Sequence, residues 1–210
     1  MKIFYTRVEV QLQYDEFNAY VSKLPFEMAL NIKRFRRWQD AHLSLFGKLL
    51  LEHALINYAH GNQKLANVVI DKHDKPYFEG GPFFNISHSA DYVVCVLDNK
   101  VPVGIDIEKS VNIDFFEFKD QWTHQESRRI TESYNSMRQF YVYWTRKEAI
   151  IKADGRGLSV PLNKISVLDQ KAIVNGKVWH LREVDIDVEY VCHVACGEKI
   201  DEFQKVYVKF

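Results

Sequence analysis

Val101-Pro102-Val103-Gly104-Ile105-Asp106-Ile107-Glu108 joins four aliphatic residues, a glycine and two carboxylates spaced two apart. That composition predicts a strand running into a polar site. Side chains alternate along an extended chain, so Asp106 and Glu108 leave one face while Ile105 and Ile107 leave the other. Carboxylates roughly 7 Å apart on one face repel when both are ionised, unless a cation stands near them. Magnesium, which prefers hard oxygen ligands, suits such a pair. Taken alone, the segment equally fits an edge strand that ends in solvent with both carboxylates hydrated. Pro102 belongs at the beginning of the strand rather than in its middle.

Outward from this strand the chain repeats itself. Tyr92-Val93-Val94-Cys95-Val96-Leu97-Asp98-Asn99-Lys100 resembles Tyr190-Val191-Cys192-His193-Val194-Ala195-Cys196-Gly197-Glu198-Lys199. Residues 39–58 carry a helical stripe of Leu45, Leu49 and Ile56 with Phe46, Leu50 and His53 beside it. A second strong helix, 136–153, is stopped by Asp154-Gly155-Arg156-Gly157. Each helix goes with short strands, which predicts an α+β protein of two similar halves, 1–102 and 103–210, with a ligand cleft between them. The Asp98-Asn99 turn predicts a hairpin of 92–97 with 101–107. Further strands are expected at 2–10, 68–70, 77–78, 83–86, 165–168, 172–174, 178–182, 190–195 and 206–210. Further helices are expected at 15–24, at 26–37 after Pro25, and across 113–131.

Composition narrows the function. With 47% hydrophobic and 27% charged residues the chain is an ordinary globular protein. Its 28 basic and 28 acidic residues balance, whereas nucleic-acid binding leaves a basic excess. No apolar run is long enough to span a membrane, and Met1-Lys2-Ile3-Phe4-Tyr5-Thr6-Arg7 acquires charge too quickly for a signal peptide. Cys95, Cys192 and Cys196 lie in apolar runs and read as buried thiols of a reducing, cytoplasmic compartment.

The chemistry gathers in Phe140-Tyr141-Val142-Tyr143-Trp144-Thr145-Arg146-Lys147-Glu148-Ala149-Ile150-Ile151-Lys152. On a helix Trp144, Glu148 and Lys152 form one stripe. A solvent-exposed Glu–Lys pair accounts for two of them, but not for a tryptophan between aromatic and aliphatic neighbours. With Asp106 and Glu108, Glu148 completes a set of three carboxylates, and Lys152 can meet an anion that a metal also binds. Such a set serves phosphoryl or pyrophosphate chemistry, with a carboxylate able to accept a proton. Asn85-Ile86-Ser87-His88-Ser89, read as a turn, and Lys75, ahead of Pro76, offer anion contacts.

Taken together, Phe84-Asn85-Ile86-Ser87-His88-Ser89, Gly104-Ile105-Asp106-Ile107-Glu108 and Trp144-Thr145-Arg146-Lys147-Glu148-Ala149-Ile150-Ile151-Lys152 resemble the signature blocks of the 4′-phosphopantetheinyl transferases. The likeness is to the long, monomeric, surfactin-synthetase-activating type. Gly155-Arg156-Gly157-Leu158-Ser159-Val160-Pro161-Leu162 extends the third block, and Gln39-Asp40-Ala41-His42 with Gly47 resembles the family's first long helix. The resemblance implies two halves related by a pseudo-twofold axis, with coenzyme A in the cleft. It also implies transfer of phosphopantetheine to a serine of an apo acyl or peptidyl carrier protein, releasing adenosine 3′,5′-bisphosphate. Asp106, Glu108 and Glu148 then match magnesium ligands, and Glu148 matches the base, acting directly or through a water. Lys152 corresponds to the pyrophosphate contact, Ser87 and His88 to phosphate contacts, Ser44 to a neighbour of the 3′-phosphate and Lys75 to a loop residue near the adenine. Glu126 resembles the acid of a looser block.

One departure accompanies the likeness. Relatives often carry basic residues just before the first long helix, whereas Phe26-Glu27-Met28-Ala29-Leu30-Asn31-Ile32 is largely uncharged. Lys33, Arg34, Arg36 and Arg37 either replace that phosphate grip, dock an acidic carrier helix, or form a solvated face. A magnesium-dependent phosphohydrolase or nucleotidyl enzyme, and a non-catalytic carrier-binding module, are the competing functions.

Overall fold

The computed structural model describes residues 1–210, the side chain of Leu158 excepted. In chain order its elements are β1 (Lys2–Arg7), α1 (Tyr14–Val21), α2 (Phe26–Lys33), α3 (Trp38–Asn57), β2 (Val69–Ile70), β3 (Pro76–Tyr77), β4 (Phe83–Ser89) and β5 (Tyr92–Asp98). They continue with β6 (Val103–Lys109), α4 (His124–Thr131), α5 (Ser136–Asp154), β7 (Lys171–Val174), β8 (Lys177–Glu183), β9 (Tyr190–Cys196) and β10 (Gln204–Tyr207). The protein is α+β. One four-stranded sheet has the order β10-β1-β5-β4 and the other β6-β9-β8-β7. Thus β1-β5-β4 and β6-β9-β8 follow the same antiparallel pattern. The echoing stretches are β5 and β9, each an inner strand with every residue buried. The last strand, β10, returns to pair in parallel with β1.

The two sheets face one another across a shared apolar core. Val103, Ile105 and Ile107 of β6 pack there with Val94, Val96, Cys192 and Val194. The rim of this seam is tied by reciprocal bonds: Tyr92 donates to Asp187 at 3.2 Å, and Tyr190 donates to Asp91. The two tyrosine rings meet edge-on, centroids 4.8 Å apart. All three cysteines are buried and free. His193, between two of them in sequence, instead meets Thr145 at 2.8 Å and Arg146 at 3.3 Å.

The other face of β6 carries Gly104, Asp106 and Glu108, and α5 lies against it. A Cβ on Gly104 would sit 2.2 Å from Ala149 O and 2.3 Å from Ala153 N. Only glycine lets the helix backbone come so close, and this approach sets Glu148 and Lys152 beside the strand's carboxylates. The helix ends at Gly155, whose φ of 88° closes a left-handed cap.

Four expectations are corrected. Residues 92–97 and 101–107 form no hairpin. Both edges of β5 are already taken by β1 and β4, and the Asp98 carboxylate turns the chain out of the sheet through Lys100 N and Val101 N. The helix expected over 113–131 is broken into a tight helical segment, Phe115–Gln121, and α4. Thr123 and Glu126 cap α4 reciprocally and fix its start there. Residues 165–168 are not a strand, since the N–H of Val167 is taken by the Glu126 carboxylate at 2.9 Å. Finally, 87–89 are strand, not turn, because β4 runs through to Ser89. No described helix is long and apolar enough to cross a membrane.

Candidate active site

Beyond the close contact of Gly104 with α5, β4, β6 and α5 enclose a cavity of about 320 Å³. Ser87 and His88 line it from β4, Asp106 and Glu108 from β6, and Trp144, Glu148 and Lys152 from α5. The helical stripe and the strand pair read from the sequence therefore face one space. Phe140 stacks on Trp144, rings 5.9 Å apart, and holds the indole at the cavity wall.

Hydrogen bonds organise the acidic side. Lys152 Nζ lies 2.6 Å from Asp106 Oδ1 and 3.0 Å from Ser87 Oγ. The hydroxyl of Ser87 donates to Asp106 at 3.0 Å, and that of Ser89 to Glu108 at 2.8 Å. Asp106 Oδ2 is buried with no hydrogen-bond partner among the described residues. Burial pushes the Asp106 carboxyl above its usual range despite Lys152. It pushes Glu108 up to about 7, with Asp106 adding repulsion, and raises Glu148 for the same two reasons. Three carboxyls thus share one lysine as countercharge.

That imbalance has a measurable consequence. A carboxyl with a raised folded pKa favours the folded state at low pH, and that contribution is lost as pH rises through the folded value. Buried His42 and His193, held below the imidazole range by burial, act in the opposite direction. With divalent cations chelated, Glu108→Gln is therefore expected to gain melting temperature relative to the parent as pH rises from about 5 to 8. Melting curves of both proteins across that range check it; a constant difference would mean that Glu108 is not buried as a shared charge.

His88 borders the same cavity from β4. His88 is lowered by burial and then by Lys152 and Lys48. Lys48, absent from the sequence-derived site, is a partly buried residue one turn beyond Ser44 on α3, lowered by burial. A signal for it existed: Asp40, Ser44 and Lys48 are spaced by four and partly exposed along a helix that is otherwise mainly buried. A second cavity of about 220 Å³ shares Glu148 and Lys152 and adds Lys75, Asn85 and Gly155. Lys75 is pushed down by burial and donates to Ala153 O at 3.0 Å, at the end of α5.

The basic run disperses. Lys33, Arg34, Arg36 and Arg37 are all exposed. Arg37 shares a cavity with His88 and Ser89, Lys33 and Arg36 line a separate groove with Trp38 and His42, and Arg34 lines neither. Glu126 also lies outside the site, buried 2.6 Å from Lys147.

As the side chains stand, no three His, Cys, Asp or Glu among the described residues are grouped closely enough to hold a metal ion. The Lys152 ammonium lies instead against Asp106. The donors nevertheless fit a hard cation. All are carboxylate oxygens, Lys152 alone is not enough countercharge for three of them, and one oxygen is buried without a partner among the described residues.

Comparison with known proteins assigns the family. A model described as 4′-phosphopantetheinyl transferase superfamily matches residues 102–206, and one described as 4′-phosphopantetheinyl transferase, N-terminal, matches 11–100. The chain belongs to the 4′-phosphopantetheinyl transferase superfamily. It is similar to 4′-phosphopantetheinyl transferase gsp of Aneurinibacillus migulanus, 32% identical over 78% of this chain and 69% of that protein. It is 30% identical to 4′-phosphopantetheinyl transferase Sfp of Bacillus subtilis (strain 168), over 80% of this chain and 76% of that one. Among solved structures, a Thermotoga maritima holo-[acyl-carrier-protein] synthase matches 48% of this chain and 65% of its own at 17% identity and TM-score 0.38, too distant to carry an argument. Membership makes the protein an enzyme, and the transferase of the long type at that.

Proposed function

We propose that the transferase moves the phosphopantetheine arm of coenzyme A onto a serine hydroxyl of an apo carrier protein, in a cleft between the halves 1–102 and 103–210. The observation that carries this reading is the convergence of Asp106, Glu108, Glu148 and Lys152 on one cavity that His88 also lines. Asp106, Glu108 and Glu148 would hold a magnesium ion, which supplies charge neutralisation to a pyrophosphate. Glu148 accepts the serine proton, directly or through a water, as the serine oxygen bonds to the phosphorus next to the pantetheine arm. The phosphoanhydride bond breaks, and adenosine 3′,5′-bisphosphate leaves with its new charge facing Lys152. His88, with Ser44 on the neighbouring helix, faces a further phosphate of the same ligand. Lys75 borders the second cavity, where the adenosine end would lie. Exposed Arg36 and Arg37, the latter 3.9 Å from Asp40, would meet an acidic carrier surface, steering encounter more than deepening affinity.

Incubation with coenzyme A, magnesium and a panel of apo carriers, read by intact mass, is expected to add one phosphopantetheine group to a carrier serine. Cleaved coenzyme A without a modified carrier would instead make the protein a hydrolase. Binding of carrier with neither product would make it a non-catalytic module.

A further inference from the structure

Asn85, Ser87 and Ser89 alternate along β4, so their side chains leave one face of that strand. That face is turned toward β6. Asn85 Oδ1 accepts the Ile105 N–H at 3.0 Å, Ser87 Oγ accepts that of Ile107 at 3.4 Å, and Ser89 Oγ accepts that of Lys109 at 3.0 Å. In its own sheet β6 has one strand neighbour, β9, and forms the edge. Three side chains of β4 therefore stand where a further strand's carbonyls would be. Both sets are spaced by two, and a slip of one residue would turn every rung to the wrong face.

Each serine has a proton left to give. A hydroxyl can accept one hydrogen bond while donating another. Ser89 uses both capacities on neighbouring groups: its oxygen holds the backbone of Lys109, and its proton goes to Glu108 at 2.8 Å. A long carboxylate side chain near the end of an edge strand has several rotamers open to it. Bonded to Ser89, Glu108 is held to the side of the strand that faces α5. Ser87 does the same for Asp106, but it also meets Lys152, so Ser89 is the cleaner case.

We propose that Ser89 is a positioning residue for Glu108, fixing the carboxylate where it can share a cation with Asp106 and Glu148. This rests on the reading of those three as cation ligands. It adds that the first half of the chain sets the placement, through the rungs of β4, of ligands carried by the second. Groups that orient metal ligands through hydrogen bonds typically change metal affinity by one to two orders of magnitude when removed.

The test titrates Mn²⁺ into the purified full chain, free Mn²⁺ being read by electron paramagnetic resonance, with thermal melting alongside. Ser89→Ala is expected to weaken Mn²⁺ binding by about 10-fold or more and to raise the KM for Mg²⁺ in transfer, with kcat recovering at saturating metal. Ser89→Thr, which keeps the hydroxyl, is expected to recover most of the affinity. Should the alanine variant prove too unstable to purify, Ser89→Cys, whose thiol is a weak donor, carries the same expectation. A lower melting temperature with parental Mn²⁺ affinity would make Ser89 a structural rung only and overturn the proposal. Failure of the parent chain itself to bind Mn²⁺ saturably would overturn the cation reading, and the proposal with it.

Discussion

Replacing Glu148 with Gln is expected to lower the transfer rate by about 10²–10⁴-fold while leaving the melting temperature unchanged or slightly higher. Both parts follow from where the side chain stands. It lines the cavity with Asp106 and Glu108, and burial together with Asp106 already disfavours its charge. Glutamine keeps the shape and removes that charge, so the fold loses a repulsion rather than a support. On the proposed function, catalysis loses a proton acceptor and a cation ligand in one step. The measurement is kcat at saturating coenzyme A, carrier and magnesium, beside a thermal melt. A near-parental, magnesium-dependent rate would remove Glu148 from both roles and leave the site without its base. A collapse in melting temperature would make the residue a structural one.

Much of this arrangement was legible in the chain because each part has a short-range signature. The period of two in Val103 to Glu108 fixed which residues of β6 face the core and which face α5. The period of four placed Trp144, Glu148 and Lys152 on one stripe, and all three reach the cavity. The stretches 92–100 and 190–199, which echo one another in sequence, hold the inner strands β5 and β9. What could not be read were pairings decided at long range. Nothing in Asp98-Asn99 says that β5 will have both edges filled, so a local hairpin was the natural reading and the wrong one. Ile165 to Leu168 has strand-like composition, yet the Val167 N–H goes to a carboxylate 41 positions away.

The site was legible in the same graded way. Its acidic side lies on two regular elements and could be counted off by period. Lys48 could not, since it comes near His88 only when α3 packs beside β4. The role of Ser89 was hidden for a related reason. Its partners are a backbone N–H and a side chain of a strand in another sheet, and no motif reports a bond of that kind. The basic run from Lys33 to Arg37 is continuous in sequence but divides between surfaces once the helix α2 ends at Lys33.

Glu126 resembles the acid of a looser family block, and its surroundings give it a structural part. Its carboxylate lies 2.6 Å from Lys147 Nζ, with both side chains essentially inaccessible. The same carboxylate accepts from Thr123 N at 2.8 Å and Val167 N at 2.9 Å. Lys147 completes its shell with the carbonyls of Gln121 at 3.0 Å and Leu162 at 2.9 Å, beneath the ring of Trp122. Five segments meet at this one pair, and none of its atoms opens into the cavity. Removing one partner strands the other as a buried charge, which costs about 3–5 kcal/mol. For a chain of this size that is a fall of roughly 10 °C in melting temperature, expected for Glu126→Gln and for Lys147→Met alike. The double variant is expected to lose less than the two single losses combined, because the second substitution removes the stranded charge left by the first. Transfer by the folded fraction at low temperature should keep a kcat within a few-fold of the parent. If Glu126→Gln instead melted normally and lost orders of magnitude in kcat, the pair would belong to the chemistry after all. Lys147 immediately precedes Glu148 on α5, so the pair anchors the helix on its buried side while the neighbouring residue lines the cavity.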